Sequence, residues 1–170
     1  MRNSIAPNLV PALTTDPADL AAVAEFLTLS GLPTDGLEDV AECIVLRRDD
    51  QIVASAALEI HGKSGLLRSV AVHPDLRGQK WGQTLVVTAT IIAAGHRLTR
   101  LYLITETAAA FFSHLGFQII DRVDTDPAIQ QSVEFTSACP TSATVMVLDL
   151  IKLAKKGKTT KRGQKKATSS

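Results

Sequence analysis

Apolar positions along this chain follow two rhythms, one helical and one alternating, and the switches between them outline the fold. From Ala18 to Leu29 the apolar residues Leu20, Val23, Phe26 and Leu27 recur at helical spacing. Asp16-Pro17 starts that helix, with an acceptor at the cap and a proline at the first helical position. Gly31-Leu32-Pro33 ends it. Residues 4–13 alternate weakly and contain Pro7 and Pro11, which suits only an edge strand. A short second helix is predicted around Leu37–Val40.

The rhythm then becomes strand-like. Cys43–Arg48 and Ile52–Ile60 form a predicted hairpin with Asp49-Asp50-Gln51 as its turn. His61-Gly62-Lys63-Ser64-Gly65 is a second turn, and Leu66–Val72 completes an antiparallel meander. A polar turn, His73 to Gly82, leads into a helix over Gln83–Ala94 closed by Gly95. Leu101–Thr105 is a short buried strand, and Thr107–Leu115 a helix ended by Gly116. Strands around Phe117–Asp121 and Ala143–Leu148 close the domain, with a short helix within Asp126–Phe135 and a loop at Cys139-Pro140. A strand, a helix and another strand imply one parallel pairing. The expectation is an α/β (α+β) domain: a mixed, mostly antiparallel sheet with helices on both faces.

Composition changes this picture at one end only. The 170 residues, 45% hydrophobic and 21% charged, suit one globular domain. The net charge of +1 hides a segregation: Lys152–Lys166 holds eight Lys or Arg, leaving ten basic and seventeen acidic residues in 1–151, a net −7. We therefore divide the chain into a folded domain, 1–151, and a basic tail, 152–170, expected to be disordered because it has almost nothing to bury. The tail has no aromatic residue to stack on bases, so nucleic acid is not a favoured partner. No apolar run reaches a membrane span, and the N-terminus lacks a secretory h-region. Cys43 and Cys139 match no metal-binding spacing, so no metal is expected, and reduced thiols in a cytoplasmic protein are the simplest reading.

Candidate chemistry centres on Arg77, Gly78, Gln79, Lys80, Trp81, Gly82 and Gln83. This turn joins a buried strand to a helix, where orphan N–H groups and the positive end of the macrodipole make an anion site. Arg77 and Lys80 add charge suited to a pyrophosphate, and the glycines permit close approach. By itself the turn is equally an ordinary strand–helix connection. Arg68 stands in an apolar strand and must be paired or sit in a polar pocket. It is either a structural partner of an acid on a neighbouring strand or a bidentate clamp for a substrate carboxylate.

LRSVAVHPDLRGQKWGQTL resembles the cofactor motif of the GNAT superfamily, with Lys80 where the family's middle glycine stands, and AAFFSHLGF resembles the family's second signature. The resemblance covers about residues 4–150. It implies the GNAT fold, with strands four and five splayed apart, and acetyl-CoA as acyl donor. Val70, Ala71 and Val72 would meet the pantetheine arm, and Phe112 would join the cofactor site. It implies direct transfer of an acetyl group to the amine of a small molecule, and many relatives are homodimers.

Such transfer needs a base and, ideally, an acid for the leaving sulfur. The family's usual acid, a tyrosine, is here Phe112, so Ser113 or Thr105 is the candidate substitute. The glutamate that some relatives carry on strand four is here Leu66. Glu59, interrupting the apolar run Ala54–Ile60, is the preferred base, ahead of Glu106 and His61; a strand-end carboxylate in water is the plainer reading. SGLLRSVAVHP, LYLITETAAAFFSHLGF and EFTSACPTSATVM resemble the second family of N-acetyltransferases of arsenic-resistance operons. LYLITETAAAFF is also similar to the acetyltransferase domain of N-acetylglutamate synthases. Both imply a carboxylate-bearing acceptor, an amino acid or arsenical amino acid, contacted by Arg68, Thr105 and Thr107. The rival reading is an acyl-CoA-binding regulatory module, which the loss of the tyrosine favours.

Overall fold

The computed structural model describes residues 9–166, with side chains through Thr160. Seven strands form one sheet in the order β1-β2-β3-β4-β5-β7-β6. They are β1 Ala12–Thr14, β2 Glu42–Arg48, β3 Gln51–His61, β4 Ser64–Val72, β5 Arg100–Thr105, β6 Gln118–Ile120 and β7 Thr144–Asp149. Every neighbouring pair is antiparallel except β4 and β5, which are parallel. The helices are α1 Pro17–Leu29, α2 Trp81–Gly95, α3 Ala109–His114, α4 Pro127–Gln130 and α5 Leu150–Lys166.

Local chemistry accounts for most boundaries. Asp16 Oδ1 accepts the Ala18 N–H at 2.8 Å, which caps α1 ahead of Pro17. The β2–β3 hairpin turns on Asp49 (φ 51°) and Asp50 (φ 63°), a left-handed pair that aspartate tolerates better than most residues. Alternation then sends neighbours to opposite faces. Leu67 of β4 joins Leu58, Leu101, Leu103 and the buried side of α2 (Leu85, Val86, Ala89, Ala93) in the main core. Leu66 packs on the other face, with Tyr102 and Ile129 of α4. On that same face α1 buries Val23, Phe26 and Leu27 against Cys43, Val45, Ala57 and Ala71. Helices thus cover both faces, as expected.

Three expectations change. The helix around Leu37–Val40 is a single 3-10 turn, Leu37–Asp39, entered through Gly36 at φ 73°. The helix within Asp126–Phe135 is broken into α4 and a wide π turn over Glu134–Ala138. The basic segment, expected to be disordered, is helical through Lys166. Leu150 is buried in the main core, and Asp149 Oδ1 caps the first turn by accepting the Lys152 N–H at 2.9 Å. Lysine-rich sequence then propagates what the anchored turn begins. Of the edge strand foreseen at 4–13 only Ala12 and Leu13 are in β1, which does lie at the edge of the sheet; residues 4–8 of that stretch fall outside the described residues, as do 1–3 and 167–170. Among the described residues no helix is long and apolar enough to cross a membrane.

Candidate active site

The parallel seam is short. β4 and β5 pair at Ser64–Arg100, Gly65–Leu101 and Leu66–Tyr102, then diverge. β4 carries one extra residue against β3 here: Ala57 faces Arg68 and Ser55 faces Ala71, with Ser69 at φ 57°. Such a bulge bends the strand and shifts the facing of the residues beyond it. Val70 and Val72 therefore join the main core while Ala71 goes to the α1 side. Ser55 Oγ secures the bulge by donating to the Ser69 carbonyl at 2.8 Å. Past Leu66, the β5-facing edge of β4 borders a cavity of about 760 Å³.

One end of this cavity is the turn into α2. Gly78 and Lys80 both take left-handed backbone, at φ 76° and 66°. The N–H groups of the first helical turn, from Trp81 onward, have no intrahelical carbonyl to reach, and no acidic residue stands there to satisfy them. Arg77 folds back so that Nε donates to the Val72 carbonyl at 3.3 Å. Gly82 passes close to Phe111 of α3: a Cβ there would lie 3.3 Å from the ring.

The other end is a buried charge cluster. The Arg68 side chain is fully buried; its Nη1 donates to Glu59 Oε1 at 2.7 Å and its Nη2 to the Asp35 carbonyl at 2.6 Å. Nε lies 2.8 Å from Glu134 Oε2, a charge contact, but Oε2 accepts no hydrogen bond from the described residues. Glu59 Oε2 is also hydrogen-bonded to His61 Nε2 at 2.7 Å and accepts from Ser132 Oγ at 2.9 Å. Burial pushes the Glu59 carboxyl up, but the bonds from Arg68, His61 and Ser132 outweigh it and hold the group below its ordinary value. Glu134 shifts the other way: burial raises it, the neighbouring Glu59 charge adds to the rise, and Arg68 only partly offsets them. The Cys139 thiol, pushed up to about 12 by burial and by Glu134, donates to Glu134 Oε1 at 3.6 Å.

Residues 39–119 match the family model of the acetyltransferase (GNAT) domain. The matched segment, just under half of the chain, is GNAT-like. The amino-acid acetyltransferase of Buchnera aphidicola is 31% identical over 85 residues, 49% of this chain and 19% of that protein. That of Escherichia coli K12 is 29% identical over the same share of each. The chain thus spans about a fifth of the length of these curated relatives. Among solved structures, a GNAT-family acetyltransferase of Staphylococcus aureus superposes with a TM-score of 0.70 at 16% identity, over 84% of this chain and 99% of that one. N-acetylglutamate synthase of Neisseria gonorrhoeae, solved with coenzyme A and N-acetylglutamate, has a TM-score of 0.64 at 17% identity, over 83% of this chain and 35% of that one.

At this cavity the residues anticipated for the cofactor come together. Val70, Ala71, Val72, Arg77, Gly78, Lys80, Trp81, Gly82, Gln83 and Phe112 all line the cavity. Gln79 is outside the lining, and its amide donates to the Asp75 carbonyl at 3.2 Å. Thr105 and Thr107 are in the lining, and Thr105 Oγ1 accepts the Ala108 N–H at 3.0 Å. The two catalytic candidates are not brought there. Ser113 is exposed on α3, outside the cavity, and Glu59 faces the sheet interior with its carboxylate taken by Arg68, His61 and Ser132. Arg68 touches the cavity but is committed to protein acceptors, which is the structural-pair alternative. Glu134 lines the cavity and was missed: in sequence it is one acid near the end of the stretch expected to hold a short helix, flanked by Val133 and Phe135, with nothing local to mark it as buried.

Proposed function

We propose that this domain is an acetyl-CoA-dependent N-acetyltransferase acting on a small amine. The observation that carries this reading is the meeting of the diverging β4 edge with the N-terminus of α2 in one cavity. Backbone groups on the free edge of β4 supply partners for the amides of a pantetheine arm, as strand addition does. The first turn of α2, with Arg77 and Lys80, supplies donors and charge for a pyrophosphate. The thioester then lies between β4 and β5, open to an acceptor from the Glu134 end.

Amino acids are the first acceptor class to test, because the curated relatives carry that name. The arsenical members of that class rest on the sequence resemblance. An amino acid would enter with its ammonium toward Glu134 and Glu106; Arg68 is no carboxylate clamp while Glu59 and Asp35 occupy it. Phe112 leaves the sulfur without the usual tyrosine donor, which a thiolate tolerates because it departs readily without protonation.

Thiol release from acetyl-CoA, followed with a panel of glutamate, other amino acids, arsenical amino acids, polyamines and peptides, tests the reading. Release with one acceptor establishes the activity and its substrate class. Acetyl-CoA binding without release from any acceptor favours a regulatory acyl-CoA sensor, and absence of binding removes both.

A further inference from the structure

We infer that Glu134 is the catalytic base, taking the proton of the acceptor ammonium. The inference rests on the cavity being an acetyl-CoA-dependent transfer site. Glu134 is 6% exposed, lines the cavity, and has one oxygen without a hydrogen bond. Its other oxygen is held by the Cys139 thiol. Buried polar atoms are almost always hydrogen-bonded, so a buried carboxylate whose Oε2 has only the ionic contact to Arg68 Nε, on a residue that lines a cavity, has hydrogen-bonding capacity left for a ligand donor. The basic side chains lining the cavity are Arg68, Arg77 and Lys80, the last two at the α2 end, while Glu106 and Glu134 carry negative charge at the other. An ammonium fits this end.

The surrounding charges explain why Glu134 and not Glu59 has the oxygen without a hydrogen bond. Arg68 from β4 is shared between two carboxylates, and its aligned Nη1 bond goes to Glu59. Glu59, on β3, collects His61 and Ser132 as well. Glu134 keeps only the off-axis Nε contact and the weak thiol donor, with Glu106 beyond Cys139 adding negative charge. The π turn supplies the local geometry, and such turns recur at functional sites. In the step, Glu134 accepts one proton from the ammonium, and the nitrogen lone pair forms the C–N bond at the thioester carbonyl. Collapse of the tetrahedral intermediate breaks C–S, and the second amine proton passes to the sulfur, giving amide and free thiol. Glu134 returns its proton to solvent.

The test compares wild type with Glu134→Gln and Glu134→Asp, reading acetyl-CoA affinity from the fluorescence of Trp81, the only tryptophan. Glutamine should leave affinity within about twofold and lower kcat about 100-fold or more, removing the acid limb of the pH–rate profile; aspartate should restore part of the rate and that limb. Wild-type rate and pH profile in the glutamine variant would overturn the inference. A second measurement needs no acceptor: 13C spectra of glutamate-labelled protein, assigned with Glu134→Gln, should show a carboxyl titrating above ordinary glutamate that responds to added acetyl-CoA. An ordinary, unresponsive titration overturns the role of Glu134 even if transfer occurs. A wild-type protein with no Trp81 response to acetyl-CoA would instead remove the cofactor site on which that role depends.

Discussion

Arg68 and Glu59 are diagonal neighbours on the β3–β4 ladder: Glu59 pairs with Leu66, two residues before Arg68, and Nη1 reaches Oε1 at 2.7 Å. The pair is buried on the face between α1 and α4, and it fixes how much of the guanidinium is left for Glu134.

Breaking the pair should be costly. Glu59→Gln or Arg68→Met leaves an uncompensated buried charge, and a loss of about 3–5 kcal/mol in urea unfolding is expected. Arg68→Met should also change the titration of Glu134, whereas a solvent-exposed pair would show almost no loss in either experiment.

The two glutamates should act oppositely on stability as pH changes. Glu59 is held below its ordinary value, so its contribution is present above the unfolded pKa and is lost as pH falls through the folded one. Glu134 is raised, so the folded state holds its proton more tightly and stability falls as pH rises from the unfolded value through the folded one. Glu134→Gln, which imitates the protonated form, should therefore melt higher than wild type at pH 8 and lose that advantage near pH 4. Melting curves at the two pH values check the sign.

Lys80 occupies left-handed backbone at φ 66°, where a side chain costs about 1–2 kcal/mol and glycine costs little. Lys80→Gly should raise stability by about 1 kcal/mol yet weaken acetyl-CoA binding, because a cation leaves the pyrophosphate end. Arg77→Ala with Lys80→Ala should weaken binding further without unfolding the domain. Unchanged affinity in the double variant would sink the pyrophosphate assignment.

Gly65 sits in the parallel seam itself. A Cβ there would lie 2.8 Å from Leu98 Cδ1 and 3.1 Å from atoms of Leu101 and Leu58. Gly65→Ala should cost about 1–3 kcal/mol by overpacking, measured by denaturant unfolding, whereas Gly62→Ala is opposed only by its left-handed backbone, with no neighbour within 4 Å.

The features legible in the sequence are those that near neighbours decide. The α1 cap at Asp16-Pro17, the helical spacing of Leu20, Val23, Phe26 and Leu27, the hairpin at Asp49-Asp50 and the glycine-bearing turn from Arg77 are all written in near residues, because capping, turn geometry and amphipathic spacing are local. The end of the cavity at the α2 N-terminus was legible for that reason. The Glu134 end was not, since its charges come from β3, β4 and the segment before β7. Whether Arg68 faced a substrate or Glu59 depended on strand register and on the bulge at Ser69, and the depth of Glu134 depended on a π turn folding against the sheet. The basic segment shows the same division: its composition argued for disorder, but Leu150 docking in the core anchored a first turn that Asp149 caps. Burial and pairing arise from residues far apart in the chain, so it took the folded molecule to decide which carboxylate was spent on the fold and which was left facing the cavity.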